Sequence, residues 1–395
     1  MFTFLKHTFL HPLKEFLHDG RAIGILLLGC TFISLLFSNL PAFSNAYLHF
    51  WDVHFNDTKE HSIHVAFLHL PNSFLVIIND LLMAFFFLLA GMEIKREIIS
   101  GELGSLKKSI LPIFAAIGGM LIPALLFFIF NRNTAYSQGW AIPTATDIAF
   151  TLGVASLLGK RVPVALKIFI TALAIIDDLG AIIVIALFYG GKIKLLYLVG
   201  CCVVIFALLL FNKYKIKFGI WYCLAGFILW YCMFNSGIHA TVAGVVFAFL
   251  MPINQLSKWE LKLHNPVYFL IMPIFALANT AIAFPTTGLL AINNSLSWGI
   301  ILGLVVGKPL GICTFCYILI KNKYSKLPRG TNWNQMIGAS ILAGIGFTMS
   351  IFIATLAFSS PTNQNISKIS VLVASFMAMI IGFCWLVLCK PQQKR

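Results

Sequence analysis

Charge is scarce in this chain, and negative charge is scarcer still: 13 Asp and Glu stand against 28 Lys and Arg in 395 residues. Charged residues make up 10% of the sequence, where a soluble globular domain carries about 25%. With 59% hydrophobic residues and a mean hydropathy of +0.92, an ordinary soluble domain is excluded. The formal charge of +15 is dispersed between apolar runs and forms no patch, which excludes nucleic acid as a partner. Metal-ligand and disulfide spacings are also missing. Most of the nine cysteines (Cys201, Cys202, Cys223, Cys232, Cys313, Cys316) lie inside apolar runs and read as small packing residues. The histidines His49, His54, His61, His64 and His69 have no compact ligand spacing, so no metal is assigned to them. No A-x-A-type cleavage site follows the run 22–37, although Lys6, Lys14 and Arg21 precede it, so it reads as a retained first helix.

What the sequence does have is long apolar runs. They recur at about 22–38, 74–94, 109–130, 136–158, 164–189, 196–212, 218–234, 237–252, 264–284, 298–320, 335–358 and 367–389. A spanning helix needs about 20 apolar residues, so the expected fold is an all-α polytopic membrane protein with about twelve crossings, a single domain over 1–395 embedded in a lipid bilayer. Basic residues then set the orientation. Alternation places Lys6, Lys14 and Arg21, then Lys95, Arg96, Lys107 and Lys108, then Lys213, Lys215 and Lys217, and finally Lys390, Lys394 and Arg395 on one side. The other side receives only Lys59, Arg132, Lys192, Lys194 and Lys368, so both termini are expected in the cytoplasm. Lys308 falls on neither side.

Asp177 and Asp178 stand in TALAIIDDLGAIIVIALFYGG, with no other charge between Lys167 and Lys192. A central Asp costs about 2.5–3.5 kcal/mol on insertion scales, and such residues mark ion or proton routes by default. Na+ is a hard cation that prefers oxygen, and carboxylates, hydroxyls and carbonyls are what this region supplies. A proton competes for the same oxygens. Neighbours on a helix point about 100° apart, so one Asp lines the route while the other meets a partner such as Lys308. Whether Lys308 is a structural counter-ion or a second proton carrier stays open at this point.

An internal repeat is also legible. DIAFTLG at Asp147 and GIGFTMS at Gly344 are related by an offset of 197, which also pairs Pro112 with Pro309. The repeats extend over about 109–189 and 306–386. Charge places their starts on opposite sides of the membrane, which makes them inverted. Pro143 in the first and Gly344 with Gly346 in the second predict two interrupted helices that cross at a midplane site, the transporter arrangement for which NhaA is a standing example.

The segments GMEIKREI, WAIPTATDIAFTLG, ALAIIDDLGAIIVIALFY, SGIHATVAG, GKPLGI and GIGFTMSIFIA, in order over about 74–358, resemble the signature segments of the NhaA family of bacterial sodium/proton antiporters. The resemblance implies Asp177 and Asp178 as the Na+- and proton-binding acids, Asp147 and Thr146 beside them, and Lys308 as their cationic neighbour. It implies electrogenic, pH-activated export of Na+ or Li+ in exchange for H+ across a bacterial inner membrane, by alternating access and without a resident cofactor. It makes Glu93, Arg96, Glu260 and His239 candidates for pH sensing. Here the chain departs from the family: it reads WELKLHNPV, with Lys262 and Asn265 where histidines are expected. Alternating apolar positions in the outer loop 39–73 and the resemblance together suggest a hairpin that joins a homodimer. Two other classes fit the residues less well. An intramembrane aspartyl protease lacks its Tyr-Asp and Gly-x-Gly-Asp pattern here, and a channel or receptor does not need two broken helices. A transporter that is no enzyme is the expectation.

Overall fold

The computed structural model describes residues 20–56, 61–65, 68–284 and 293–389. Their apolar runs fold as helices, as the composition requires: without water, each backbone polar group must find its partner inside the helix. In chain order these are α1 (Gly20–Asn39), α2 (Ser44–Trp51), the strands β1 (Ser62–Val65) and β2 (Leu68–Pro71), and α3 (Phe74–Ser100). Next come α4 (Leu106–Asn131), a 3-10 helix over Ser137–Thr144, α5 (Ile148–Leu157), α6 (Val164–Phe188), α7 (Leu195–Lys213), α8 (Ile220–Ser236) and α9 (Val242–Leu250). The chain then continues through α10 (Ile253–Asn279), α11 (Ser295–Lys321), α12 (Trp333–Leu342), α13 (Phe347–Ala357) and α14 (Pro361–Leu388).

Among the described residues eight helices are long and apolar enough to cross a membrane, and α12 with α13, bent by 46° at their break, make a ninth span. The expected twelve is therefore not reached by length and composition alone. The other three candidate runs are α8, the nine-residue α9, and the interrupted stretch from Ser137 to Leu157. Lys368, counted with the outer side, lies within α14 and is only 6% exposed.

The chain forms two compact units. Unit 1 draws its described residues from 20–29, 105–178 and 293–389, and unit 2 from 30–104 and 179–284. In unit 1, α4 and α11 approach until glycine is required: a Cβ on Gly118 would meet the Gly311 carbonyl oxygen at 2.4 Å, and one on Gly311 would meet that of Gly118 at 2.0 Å. Directly before Lys308, α11 takes a π-helical turn over Gly303–Gly307. Such turns are rare and concentrate at functional sites. The start of α12 is fixed by a capping box, in which Asn332 and Gln335 each accept the other's backbone N–H, at 2.8 and 3.1 Å.

In unit 2, β1 and β2 pair antiparallel with Ser62 opposite Pro71 and Val65 opposite Leu68. The expectation of a hairpin over the outer loop 39–73 is corrected in its first half, because α2 is a helix. Phe43, Tyr47 and Trp51 recur every four residues, a helical spacing that lines their rings on one face. The Phe37 ring lies 5.5 Å from Phe43 and 5.8 Å from Tyr47, and the Tyr47 hydroxyl donates to Ser34 Oγ at 3.1 Å.

Candidate functional site

The site is built in unit 1, where both interrupted segments break. The first loses its helix at residues 145–147, between the 3-10 helix and α5; the second breaks at 343–346, between α12 and α13. Pro143 has no N–H to continue the first segment, and Gly344 packs its bare Cα so close that a Cβ would lie 2.4 Å from the Leu304 carbonyl oxygen. Breaking a helix frees carbonyls and N–H groups, and here each break supplies partners to the other. Asp147 N donates to the Ile345 carbonyl at 2.7 Å, Thr146 Oγ1 lies 2.9 Å from the Ala343 carbonyl oxygen, and Thr151 Oγ1 donates to that of Leu342 at 3.1 Å.

Asp147 is the N-cap of α5, accepting the Phe150 N–H at 3.1 Å. Its other oxygen accepts the Thr348 N–H at 3.1 Å and the Thr348 hydroxyl. Thr348 is in the first turn of α13, so one carboxylate faces the positive ends of two half-helices. Each such end favours an anion, which explains how Asp147 stays buried at 2% exposure.

Thirty residues further, α6 carries Asp177 to the same crossing. Asp177 Oδ2 accepts from Lys308 Nζ at 2.6 Å and from Thr146 Oγ1 at 2.7 Å, and Lys308 also donates to the Thr144 carbonyl freed by the first break. Both charged side chains of this pair are 0% exposed. Asp177 Oδ1 has no hydrogen-bond partner among the described residues. Asp178, next along α6, is 6% exposed. Direct contacts thus join Thr146, Asp177 and Lys308, with Asp147 the chain neighbour of Thr146, and they answer which acid meets the lysine: it is Asp177. Neither Thr348 nor the Thr144 backbone oxygen was expected from the sequence. Thr348 was within reach, because it is Thr151 displaced by the repeat offset; the Thr144 contact uses a backbone oxygen, for which side-chain patterns give no signal.

Chemically, the crossing offers hard oxygen donors, two carboxylates on adjacent residues, and a cation already neutralising one of them. Breaking a buried pair by removing one partner leaves an uncompensated charge, so a mobile cation at Asp177 and the ammonium of Lys308 are natural competitors.

The candidates for pH sensing lie in unit 2 and form two places. Arg96 Nη1 pairs with Glu260 Oε1 and its Nη2 with Glu97 Oε1 at 3.1 Å, with Glu93 in the same electrostatic neighbourhood. Beside them Lys95 Nζ donates to the last carbonyls of the α9 segment, Phe249 at 2.8 Å and Met251 at 2.5 Å. His239 is elsewhere: its Nε2 is 2.5 Å from the Tyr189 carbonyl oxygen, and Asp80 and His61 are ionisable groups in its electrostatic neighbourhood.

Comparison with known proteins agrees with this geometry. The chain is 47% identical over 378 residues to the Na(+)/H(+) antiporter NhaA 2 of Flavobacterium johnsoniae, covering 93% of this chain and 90% of that one. It is 43% identical to the Na(+)/H(+) antiporter NhaA of Cytophaga hutchinsonii, covering 94% of both. To the Na(+)/H(+) antiporter NhaA of Escherichia coli O1:K1 / APEC it is 44% identical, covering 95% of this chain and 97% of that one. With the family described as Na+/H+ antiporter 1 matching residues 14–386, the chain belongs to that family of membrane transporters.

Proposed function

We propose that this protein exports Na+, or Li+, in exchange for H+ across a bacterial inner membrane, with both termini in the cytoplasm. The observation that carries the reading is the Asp177 carboxylate, its side chain wholly buried, with one oxygen held by Lys308 and Thr146 and the other without a hydrogen-bond partner among the described residues. Na+ binds at Asp177 and Asp178, with Thr146 and the freed carbonyls as further oxygen donors. Protons compete for the same carboxylates, and the Lys308 ammonium competes with Na+ for Asp177. Asp147 holds the two half-helix ends together during exchange. Two protons returning for each Na+ move one net charge, worth about 2.3 kcal/mol per 100 mV, so an inside-negative potential drives Na+ out. The chain is a transporter, not an enzyme.

Alternating access follows from the repeats 109–189 and 306–386, taken as inverted halves of one transporter domain over 1–395 that meet at their broken helices. Glu93, Arg96 and Glu260, with Glu97, set the response to cytoplasmic pH, and His239 adds a second influence from its own position. The strand pair joins two copies as a homodimer. The test is Na+-driven proton flux in proteoliposomes: wild type exchanges, Asp178→Asn does not although it remains folded, and wild-type flux from Asp178→Asn overturns the reading.

A further inference from the structure

In unit 2 the carboxylate of Asp80 is 5% exposed and lies within the π-helical turn Ile77–Leu82 of α3. His61 reaches it from the segment leading into β1, with Nε2 2.8 Å from Oδ2. The His61 carbonyl also accepts the N–H of Asn72 at 3.2 Å, so the residue ties together the beginning and end of the strand pair. Its ring stacks on Phe234, with centroids 5.3 Å apart at 26°, and Phe234 stacks on Trp230 at 5.6 Å and 21°. Trp230 Nε1 then donates to the backbone oxygen of Asp80 at 3.0 Å. These contacts close a ring through His61, Phe234, Trp230 and Asp80 that joins the strand pair to α3 and α8. The His61 side chain is 63% exposed and that of Asp80 only 7%. A proton therefore reaches the imidazole from water, while the carboxylate it faces is shielded.

We propose that His61 and Asp80 form a second proton-binding site, open to the external aqueous phase, whose occupancy fixes the outer strand pair to the helices of unit 2. Only the side of the membrane rests on the function proposed above; the site does not. With its proton, the imidazolium makes a charge-assisted contact with Asp80. Without it, the Asp80 charge is left buried and uncompensated, which is strongly unfavourable. Among the described residues, the titratable groups facing His61 are Asp80 and His239, and the latter is already engaged with the Tyr189 carbonyl. Partial desolvation of the ring works against its charge, but the Asp80 carboxylate beside it outweighs this and holds His61 above the ordinary histidine value. A raised folded-state value means that the stabilisation is complete below the unfolded histidine pKa of about 6.5 and is lost as pH rises through the raised value. External acid closes the clasp; external alkali opens it.

The experiment is hydrogen–deuterium exchange at the amides of β1 and β2 in the full-length protein, stepped from acid to alkaline pH and corrected for intrinsic exchange. Wild type, His61→Gln and His61→Lys are compared. Wild type is expected to lose strand protection on the alkaline side. His61→Gln should show weak protection with no pH step, and His61→Lys, which keeps a cation beside Asp80, should hold its protection into alkaline pH. A pH step that persists in His61→Gln, a wild-type step reproduced in His61→Lys, or no step in wild type overturns the proposal. The readout is strand protection and not flux, so failure of the antiport reading and failure of this one are separate results.

Discussion

Thr146 and Ala343 stand 197 residues apart and touch, with the threonine hydroxyl 2.9 Å from the alanine carbonyl oxygen. That separation is the offset relating DIAFTLG to GIGFTMS, so equivalent positions of the proposed repeats meet at the crossing. The neighbouring contacts depart from symmetry in one informative way. Thr151 donates to a backbone carbonyl, that of Leu342, whereas its counterpart Thr348 donates to the Asp147 side chain. The second break has glycine, Gly344, where the first has Asp147, and a single acid therefore caps two helix ends.

That arrangement makes Thr348 a structural determinant of the crossing. Hydrogen bonds to charged groups contribute about 1.5–3 kcal/mol, so Thr348→Val should lose stability of that order while Thr348→Ser keeps most of it. Thermal unfolding in detergent measures both. Equal melting of Thr348→Val and wild type would show that the hydroxyl contributes nothing.

The Lys308 and Asp177 pair makes a sharper prediction. Removing one member of a buried pair costs about 3–5 kcal/mol, whereas removing both charges is far less costly. Lys308→Gln should therefore melt well below wild type, and Asp177→Asn with Lys308→Gln should recover part of the loss. Additive losses in the double variant would mean that the two groups are not coupled.

The close approach of α4 and α11 can be probed by adding one methyl group. Gly311→Ala forces a Cβ against the Gly118 carbonyl, and overpacking of this kind costs about 1–3 kcal/mol. Gly29→Ala is the control, since nothing lies within 4 Å of its Cβ position. If both variants melt alike, the packing argument fails.

Much of this was legible in the residues, and the gaps have physical reasons. Apolar run lengths located the long helices, and Pro143, Gly344 and Gly346 located the breaks, because backbone chemistry is local. Which aspartate meets Lys308 was not legible: a step of about 100° separates the two side chains without fixing how the helix is turned. The stretch around Tyr47 fits both a two-residue and a four-residue period, and packing of Phe43 and Tyr47 on Phe37 decided for helix. Asp80 passed unnoticed as one acid in an apolar run, since its partner His61 comes from a loop whose histidines had no ligand spacing. Lys368 showed only as one more basic residue, because its burial in α14 depends on packing against neighbouring helices.

The strand pair yields a prediction about assembly. Deleting residues 62–71 should weaken dimerisation more than it weakens exchange, since these residues are remote in sequence from every carboxylate of unit 1. Size-exclusion chromatography with light scattering, alongside flux, measures both. A truncated protein that remained equally dimeric would rule out the hairpin as the joining element.

The central claim is that Na+ and protons compete for the carboxylates Asp177 and Asp178 with net charge moved in each cycle. Its most direct test is Na+ efflux from proteoliposomes under an imposed K+ diffusion potential, repeated over about pH 6–9 to bracket the titration of a buried carboxyl, for wild type and Asp178→Asn. Wild-type efflux should quicken with an inside-negative potential and with rising cytoplasmic pH, and Asp178→Asn should show neither flux nor response. Wild-type efflux indifferent to both voltage and pH would contradict shared use of these carboxylates, even with Na+ transport itself observed.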